Sequence, residues 1–289
     1  MMAQVKQGDL DFAVGIRAQS IWGLTEAFVF LLEGAGSAFF AVSLLADQSR
    51  YLAPAMALVA VAALLLLSHL GHPARAWRAA LRVGTSWISR GTVSICFFLG
   101  LGIMYIAIDR CLGFQDRGVA QGVMKYLLLA ACLVILAYPG FTLSFSSSIP
   151  FWNNALMPLT FILSGLGTGL LCFIALQAAT GIVSFHLIAA SIVVLLFLAI
   201  ALASYVIVAA SAAAGARESL RILLSWNFSW IFIALGFGAG VLIPVILCGL
   251  MLAGPVNGPM LFLLVLSRGV GDVALRYAVV KVGVYDAVY

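Results

Sequence analysis

The chain has 289 residues, of which 64% are hydrophobic and 9% are charged, and its formal net charge at pH 7 is +5. This composition excludes a water-soluble globular protein, because a soluble fold of this length needs far more polar surface. An all-α integral membrane protein is therefore predicted.

The apolar segments predict eight transmembrane helices. A span needs about 20 apolar residues, and windows of that size fall at residues 22–46, 52–71, 92–109, 126–147, 155–180, 184–212, 229–253 and 258–281. Long runs without two-residue alternation favour helices over a β-barrel. No connection is long enough for a soluble domain, so residues 1–289 are predicted to form a single membrane domain. The first twenty residues lack the pattern of a cleaved signal peptide and are expected to form a polar tail.

Two acidic residues lie within the first predicted span. Glu26 lies about one turn into it, and Glu33 follows about two turns deeper on roughly the same helical face. A charge inside a span costs at least ~2–3 kcal/mol on insertion scales, so each needs a partner or a use. Glu33 is therefore expected to be protonated or paired. A proton relay and a buried hydrogen bond both stay open for it.

The connection between the second and third spans, residues 68–91, is basic and aromatic. Its sequence, SHLGHPARAWRAALRVGTSWISRG, carries two histidines, four arginines and two tryptophans in a chain with few charges. Gly71, His72 and Pro73 are expected to end the second span. His69 lies just before them at the membrane face, where an imidazole can exchange a proton near neutral pH. A simple interfacial histidine is the alternative.

Similar motifs recur in the two halves of the chain. Residues 30–36 (FLLEGAG) match residues 161–167 (FILSGLG), and residues 82–87 (RVGTSW) match residues 221–226 (RILLSW). Gly-x-Gly pairs follow at 100–102 and 236–238. Because four spans separate each pair, the halves have the same orientation in the membrane. The pattern predicts two four-helix bundles, residues 21–148 and 149–285, related by a pseudo-twofold axis along the membrane normal.

Three ionisable residues follow at intervals of four in the last span: Arg268, Asp272 and Arg276. This spacing places them along one helix face, with the carboxylate between two guanidinium groups. A structural ion ladder is favoured over one end of a polar path across the membrane, since both arginines have a partner in Asp272. Together with Glu26 and Glu33, the three residues are nevertheless the candidates for a proton path.

Basic residues are divided unequally between the two membrane faces. Side A, the face that carries both chain ends, has ten: Lys6, Arg17, Arg75, Arg78, Arg82, Arg90, Arg217, Arg221, Arg276 and Lys281. Side B has four, Arg50, Arg110, Arg117 and Lys125, beside Asp47, Asp109 and Asp116. The positive-inside rule places side A in the cytoplasm, although a basic docking surface for a partner would bias the same count.

The cysteines and histidines do not form metal-binding patterns. Cys96, Cys111, Cys132, Cys172 and Cys248 include no CxxC pair, and most lie in apolar spans. They are interpreted as small packing residues. His69 and His72 lie at side A whereas His186 begins the sixth span at side B. Because they cannot meet across one haem, a cytochrome b-type anchor is not expected.

Several of these motifs together resemble the NrfD/PsrC family, the membrane subunits of polysulfide-reductase-type complexes, to which the DMSO reductase anchor DmsC is related. The matching residues are His69-Leu70-Gly71-His72-Pro73-x-Arg75, Ser86-Trp87-Ile88-Ser89-Arg90-Gly91, Tyr138-Pro139-Gly140-Phe141, Ile149-Pro150-Phe151-Trp152-Asn153, Phe161-x-x-Ser164-Gly165, and Leu275-Arg276-Tyr277 with Gly283. The resemblance covers nearly the whole chain.

The resemblance implies eight helices in a prokaryotic cell membrane, no redox cofactor on this chain, and a site for menaquinone or ubiquinone near side A. It also implies a ferredoxin-like iron–sulfur subunit as partner and a catalytic subunit that often carries molybdopterin. Carried over to matching positions, His69 is the quinone hydrogen-bond and proton partner and Tyr138 is a second quinone contact. Trp87 and Arg90 close the site. A basic side A surface suits an acidic partner, and its docking arginines are Arg75, Arg78, Arg82, Arg217 and Arg221.

Two positions depart from the family pattern. Relatives similar to DmsC usually carry an acid after the Ser-Arg, where this chain has Gly91, so that role is vacant or is taken by Glu26. Glu33 stands where many members have a small residue. The predicted function is a quinone-interacting membrane subunit of a respiratory oxidoreductase complex. A proton- or ion-conducting module and a purely structural anchor are the alternatives.

Overall fold

The computed structural model describes residues 17–112 and 118–286. Within them the chain forms these elements in order: β1 (Arg17–Ala18), α1 (Leu24–Leu45), α2 (Leu52–Ser68), α3 (Trp87–Leu112), α4 (Val119–Ser144), α5 (Leu156–Ala179), α6 (Phe185–Ser211), α7 (Ala214–Leu223), α8 (Trp226–Ser229), a π-helical segment (Trp230–Leu242), α9 (Ile243–Ala253), α10 (Gly258–Lys281) and β2 (Val284–Tyr285). Short 3-10 helices lie at Ser49–Tyr51 and Pro73–Ala80.

Eight of the described helical stretches are long and apolar enough to cross a bilayer. They are α1 to α6, the seventh span formed by residues Trp226–Ala253, and α10. The predicted all-α membrane fold is confirmed. The polar tail before residue 17, which includes Lys6, and the loop residues Asp116 and Arg117 lie outside the described residues.

Two spans begin earlier in the structure than the sequence predicts. Helix α3 starts at Trp87 rather than at residue 92, and α4 starts at Val119 rather than at residue 126. The additional turns contain polar residues such as Ser89, Arg90 and Gln121. Hydropathy detects the apolar part of a helix, and these polar turns lower the mean hydropathy at the start of both helices.

Helix α7 lies in a connection for which the sequence analysis predicted no element. Its residues Ala216, Leu220 and Leu223 are buried, whereas Arg217 and Arg221 face outward. This amphipathic pattern is typical of a helix that packs one face on a protein and exposes the other. At 10 residues it is too short to span a bilayer, so a search for long apolar windows does not detect it.

Helix α1 packs against α2, α4, α5 and α10, and α5 packs against α1, α4, α6 and α10, so these two helices form the centre of the bundle. Where α1 packs against α5, the repeated motif of residues 30–36 contacts its counterpart at residues 161–167. The Phe30 and Phe161 rings lie 5.8 Å apart, and the Gly34 and Gly165 backbones touch. The contacts advance along both helices together, so α1 and α5 run parallel. A pseudo-twofold axis between them would produce this pairing, and the duplication itself stays a prediction.

The described chain ends lie together, because β1 and β2 pair antiparallel, with Arg17 opposite Tyr285 and Ala18 opposite Val284. The pair is tied to the bundle on both sides. Val284 N–H donates to the Ser219 hydroxyl of α7, and Asp286 N–H donates to the carbonyl of Ser148 in the α4–α5 connection.

Candidate functional site

A cavity of about 300 Å³ lies between the side A ends of α1 to α4 and the 3-10 helix Pro73–Ala80. Its walls are largely apolar and include Val29, Phe30, Leu66, Leu67, Leu70 and Ile88. Its lining also includes five residues with polar side-chain atoms: Trp22, Glu26, Thr92, Tyr138 and Thr142. Small-molecule sites are typically apolar clefts of similar volume, in which a few polar groups fix the orientation of the ligand.

Glu26 lies at the third position of α1 and lines the cavity. Its Oε2 accepts a hydrogen bond of 2.7 Å from the backbone N–H of Gly23, which satisfies one of the unpaired donors at the start of the helix. No hydrogen bond to the second carboxyl oxygen occurs within the described residues. Glu26 is half-buried, so this oxygen is able to serve a ligand in the cavity.

Trp22 is part of the cavity wall, as is Glu26. Hydrogen bonds through Gln19 to the end of α10 hold Trp22 in place. The Gln19 side chain bonds both the N–H and the carbonyl of Trp22 and donates to the carbonyls of Val280 and Lys281. The Trp22 ring lies 5.8 Å from that of Trp152, whose indole N–H donates to the carbonyl of Val279. Trp22 and Gln19 were missed by the sequence analysis.

Tyr138 is a buried residue that lines the cavity. Its hydroxyl donates to Oε2 of Glu33 at 2.5 Å, in the buried centre of the bundle. The ring lies flat against α3 at Gly91, where a Cβ atom would overlap three ring carbons. Glycine is thus the one residue type at position 91 that lets the Tyr138 ring approach α3 this closely.

A second group of buried polar residues continues from Glu33 toward α10. Arg276 Nε donates to Oδ1 of Asp272 at 2.8 Å, and the hydroxyls of Ser164 and Thr168 donate to the same carboxylate at 2.5 and 2.7 Å. The Arg276 guanidinium lies 4.8 Å from the centre of the Phe161 ring. The predicted Arg268–Asp272–Arg276 ladder is therefore present as a hydrogen-bonded cluster between α10 and α5.

Arg268 is bonded through all three guanidinium nitrogens. Nε donates to the Thr168 hydroxyl, Nη2 donates to Ser164, and Nη1 donates to the carbonyl of Gly240 at 2.6 Å. The Gly240 carbonyl is free for this bond because Pro244, four residues later, has no N–H to give it. Arg268 thus ties the seventh span to α5 and α10, which favours a structural role for this residue.

His69 lies at the cavity rim rather than in its lining. Its Nδ1 is 3.1 Å from the Leu65 carbonyl, and its Nε2 is 3.4 Å from the Thr25 hydroxyl. The ring therefore closes the end of α2 and contacts the start of α1. The next residue, Leu70, is the one that lines the cavity.

Trp87 and Arg90 also lie outside the lining. The Trp87 ring stacks on Phe141 of α4 at 4.2 Å, and the Arg90 guanidinium lies 4.4 Å from the centre of the Trp87 ring. Arg90 donates to the carbonyls of Val83 and Gly84. These two residues fix the start of α3, and the neighbouring Ile88 and Thr92 contact the cavity.

The predicted docking arginines all lie on the surface. Arg75, Arg78 and Arg82 are exposed on and after the 3-10 helix beside the cavity, next to the exposed Trp77. Arg217 and Arg221 are exposed on α7, where Arg221 lies 3.6 Å from Glu218.

Comparison with known proteins gives two matches. The family model described as "Polysulphide reductase, NrfD" matches residues 14–285. "Protein NrfD" of Escherichia coli (strain K12) is 28% identical over 125 residues, which cover 37% of this chain and 39% of that protein. The chain therefore matches less than half the length of this relative.

Proposed function

Because the chain belongs to the NrfD family of polysulphide reductase proteins, we propose that it is the quinone-binding membrane subunit of a respiratory oxidoreductase complex. It exchanges electrons between the membrane quinone pool and an iron–sulfur subunit docked on side A. The observation that carries the proposal is the apolar cavity lined by Tyr138, whose hydroxyl bonds the buried Glu33. Reduction or oxidation of a quinone couples electrons to protons, and the cavity joins apolar walls to acid–base groups.

The residues of the cavity fit a quinone headgroup chemically. Apolar side chains suit the ring, and a quinone carbonyl needs hydrogen-bond donors of the kind that Tyr138 and the Trp22 indole carry. The indole N–H of Trp22 has no acceptor in the described part of the chain. Menaquinone and ubiquinone share this headgroup chemistry, so either is compatible with the cavity.

Four acid–base residues take distinct places in the proposal. Tyr138 has one hydroxyl hydrogen, which it donates to Glu33. It turns this hydrogen to the headgroup when a protonated Glu33 donates to the Tyr138 oxygen instead. Glu26 exchanges protons between the cavity and side A through its second oxygen. His69 does the same at the cavity rim, where it contacts Thr25 and the Leu65 carbonyl. Trp87 and Arg90 act by holding the start of α3.

The proton path proposed from the sequence divides between its carboxyl groups and its arginine cluster. Glu26 and Glu33 are the residues proposed to carry protons, because each has a carboxyl oxygen without a partner within the described residues. Arg268 and Arg276 keep their protons and are held with Asp272 by bonds that include Ser164, Thr168 and Gly240.

The proposed partners dock on side A. The exposed arginines near the 3-10 helix and on α7 are a suitable surface for an acidic, ferredoxin-like iron–sulfur subunit, since opposite charges steer association and fix orientation. A molybdopterin subunit, which exchanges electrons with that iron–sulfur subunit, is the proposed catalytic partner. By the positive-inside rule, this side is the cytoplasmic one.

Replacement of Tyr138 by Phe tests the site directly. Tyr138→Phe removes one hydroxyl, so quinol-linked turnover of the assembled complex is expected to fall roughly 10–100-fold, whereas turnover with a soluble dye persists. Tyr126→Phe is the matched control, because Tyr126 is exposed on the same helix. His69→Arg is expected to behave like Tyr138→Phe. Normal quinol turnover in Tyr138→Phe would reject the site.

The buried charges favour a second candidate, a proton-conducting module without quinone chemistry. Glu33, Arg268, Asp272 and Arg276 are all inside the bundle, where charges commonly mark ion or proton pathways. This candidate predicts proton flux through the purified chain in liposomes without quinone or partner. Absence of such flux, together with loss of quinol turnover in Tyr138→Phe, favours the quinone subunit.

A further inference from the structure

A second, larger cavity is an open apolar groove of about 620 Å³ on the outer surface of the bundle. Helix α10 packs against both α1 and the seventh span, and residues of all three helices line the groove. On α1 these residues are Leu24, Phe28 and Leu31, which share one helix face. Glu26 and Phe30, which line the candidate quinone cavity, lie on the opposite face of α1. The groove is therefore separate from that cavity.

The groove faces lipid rather than water. Its lining residues Phe28, Trp230, Leu266 and Val270 are between 42% and 55% exposed, and all four belong to helices that are long and apolar enough to cross a bilayer. The Trp230 indole N–H and the Tyr277 hydroxyl are the polar side-chain groups of the lining, which is otherwise made of apolar residues. The groove thus suits an apolar ligand that lies within the membrane.

The depth of the groove corresponds to one leaflet of the bilayer. On α10 the lining runs from Val265 to Tyr277, which spans roughly 18 Å along the helix axis. Helix α10 ends one turn after Tyr277, at Lys281 on side A. Half of the hydrocarbon core is about 15 Å thick, so the groove extends from the side A interface to the bilayer centre. An acyl chain of the side A leaflet has this depth, whereas a transmembrane helix of a partner crosses both leaflets.

The side A end of the groove carries groups that suit a lipid headgroup. Tyr277 and Trp230 lie there, and such amphipathic rings are typical of the membrane interface. The Tyr277 ring is held 6.3 Å from the ring of Phe228. Lys281 follows Tyr277 by one turn on the same face of α10, and its ammonium group has no ion pair with any residue that the structure describes. A lysine at this level attracts an anionic headgroup.

We propose that the groove binds one acyl chain of an anionic phospholipid from the side A leaflet, with the headgroup phosphate beside Lys281 and Tyr277. Gly269 makes room for the chain, because it lines the groove and a Cβ atom there would meet no atom within 4 Å. The bound chain contacts α1, α10 and the seventh span together and so joins the two helices that flank α10. The site does not depend on the proposed function, since it requires neither quinone nor a redox partner.

Lipid retention by the purified complex tests the groove. The complex is incubated with phosphatidylglycerol and washed in detergent, and the retained lipids are counted by native mass spectrometry. Gly269→Leu fills the groove and is expected to retain one lipid fewer than the wild type. Gly249→Leu is the matched control, because Gly249 lies in α9 outside the groove and also has open space at its Cβ position. Equal lipid counts in the wild type and both variants would overturn the proposal.

The headgroup assignment has its own variant. Lys281→Gln removes the charge, so the preference of this site for phosphatidylglycerol over zwitterionic phosphatidylcholine is expected to fall about fivefold, the effect of one lysine near an anionic lipid surface. An unchanged preference contradicts the position of the phosphate at Lys281.

A structure of the complex in phosphatidylglycerol nanodiscs identifies the occupant. We expect continuous chain density from Tyr277 to Leu266, with a phosphate beside Lys281. A quinone or a protein helix in the groove, or an empty groove where other lipids are ordered, would overturn the proposal. Quinol turnover enters none of these measurements, so failure of the proposed function leaves their outcome unchanged.

Discussion

At the scale of single residues, the site depends on how closely two helices approach at Gly91. The Tyr138 ring occupies the space that any side chain at position 91 would need. In the sequence, Gly91 departs from the pattern of related proteins, and the acidic role is predicted to be vacant or taken by Glu26, which stays a prediction. The structure shows that the Tyr138 hydroxyl donates to the buried carboxyl of Glu33. A close approach between residues 47 positions apart depends on tertiary packing and is not visible in a motif.

Gly91→Ala tests this interpretation. The added methyl group overlaps the Tyr138 ring, so the ring shifts and its bond to Glu33 lengthens or breaks. We expect a loss of about 1–3 kcal/mol in the free energy of unfolding and a fall of tenfold or more in quinol-linked turnover. Thermal unfolding in detergent and a quinol assay of membranes measure the two effects.

The control for this change is Gly100, which lies further along the same helix α3. Gly100 has open space around its Cβ position, so Gly100→Ala is expected to be neutral or to stabilise by about 0.5–1 kcal/mol, through the better helix propensity of alanine. Equal effects of the two substitutions would show that the Gly91–Tyr138 contact is unimportant.

At the scale of elements, the long apolar helices could be predicted and the short ones could not. Six of the predicted spans agree with the helices to within a few residues, because an apolar run of about 20 residues has few other solutions in a membrane. The pair β1–β2 has two residues in each strand, and residues Trp230–Leu242, which pack against α10, are π-helical. Neither feature leaves a periodic signal in the sequence.

The pair β1–β2 nevertheless shapes the site, because Gln19 connects it to Trp22. Gln19→Leu keeps most of the side-chain volume but removes its four hydrogen bonds to Trp22, Val280 and Lys281. We expect Trp22 to become mobile and a quinone-site inhibitor to bind the complex about tenfold more weakly. Inhibitor titration of quinol turnover measures this change.

Gln48→Leu serves as the comparison for that experiment. Gln48 lies at the opposite end of α1, far from the cavity, and its side chain makes no hydrogen bond within residues 17–112 and 118–286. Inhibitor affinity is expected to be unchanged. If Gln19→Leu also leaves the affinity unchanged, the chain ends do not position Trp22 for binding.

At the scale of the whole molecule, the polar interior consists of two hydrogen-bonded groups. Arg268 and Asp272 join α5, α10 and the seventh span through bonds that use nearly all their polar atoms. Tyr138 joins α4 to Glu33 of α1 and lines the cavity on side A. The sequence spacing predicted the ladder within α10, but its partners on α5 and the seventh span come from tertiary packing.

The surface of side A leads to the last prediction, which concerns assembly. Arg75 and Arg78 are exposed on a 3-10 helix with no buried residue, directly over the cavity, so reversing their charge does not disturb the core. Arg75→Glu with Arg78→Glu is expected to reduce co-purification of the iron–sulfur subunit at least tenfold at low salt, because two attractive contacts become repulsive. The wild-type complex is expected to lose the same subunit as salt concentration rises. Arg110→Glu, at the side B end of α3, is the matched control and is expected to retain the partner. Equal retention by the double variant and the control would exclude this surface as the docking site.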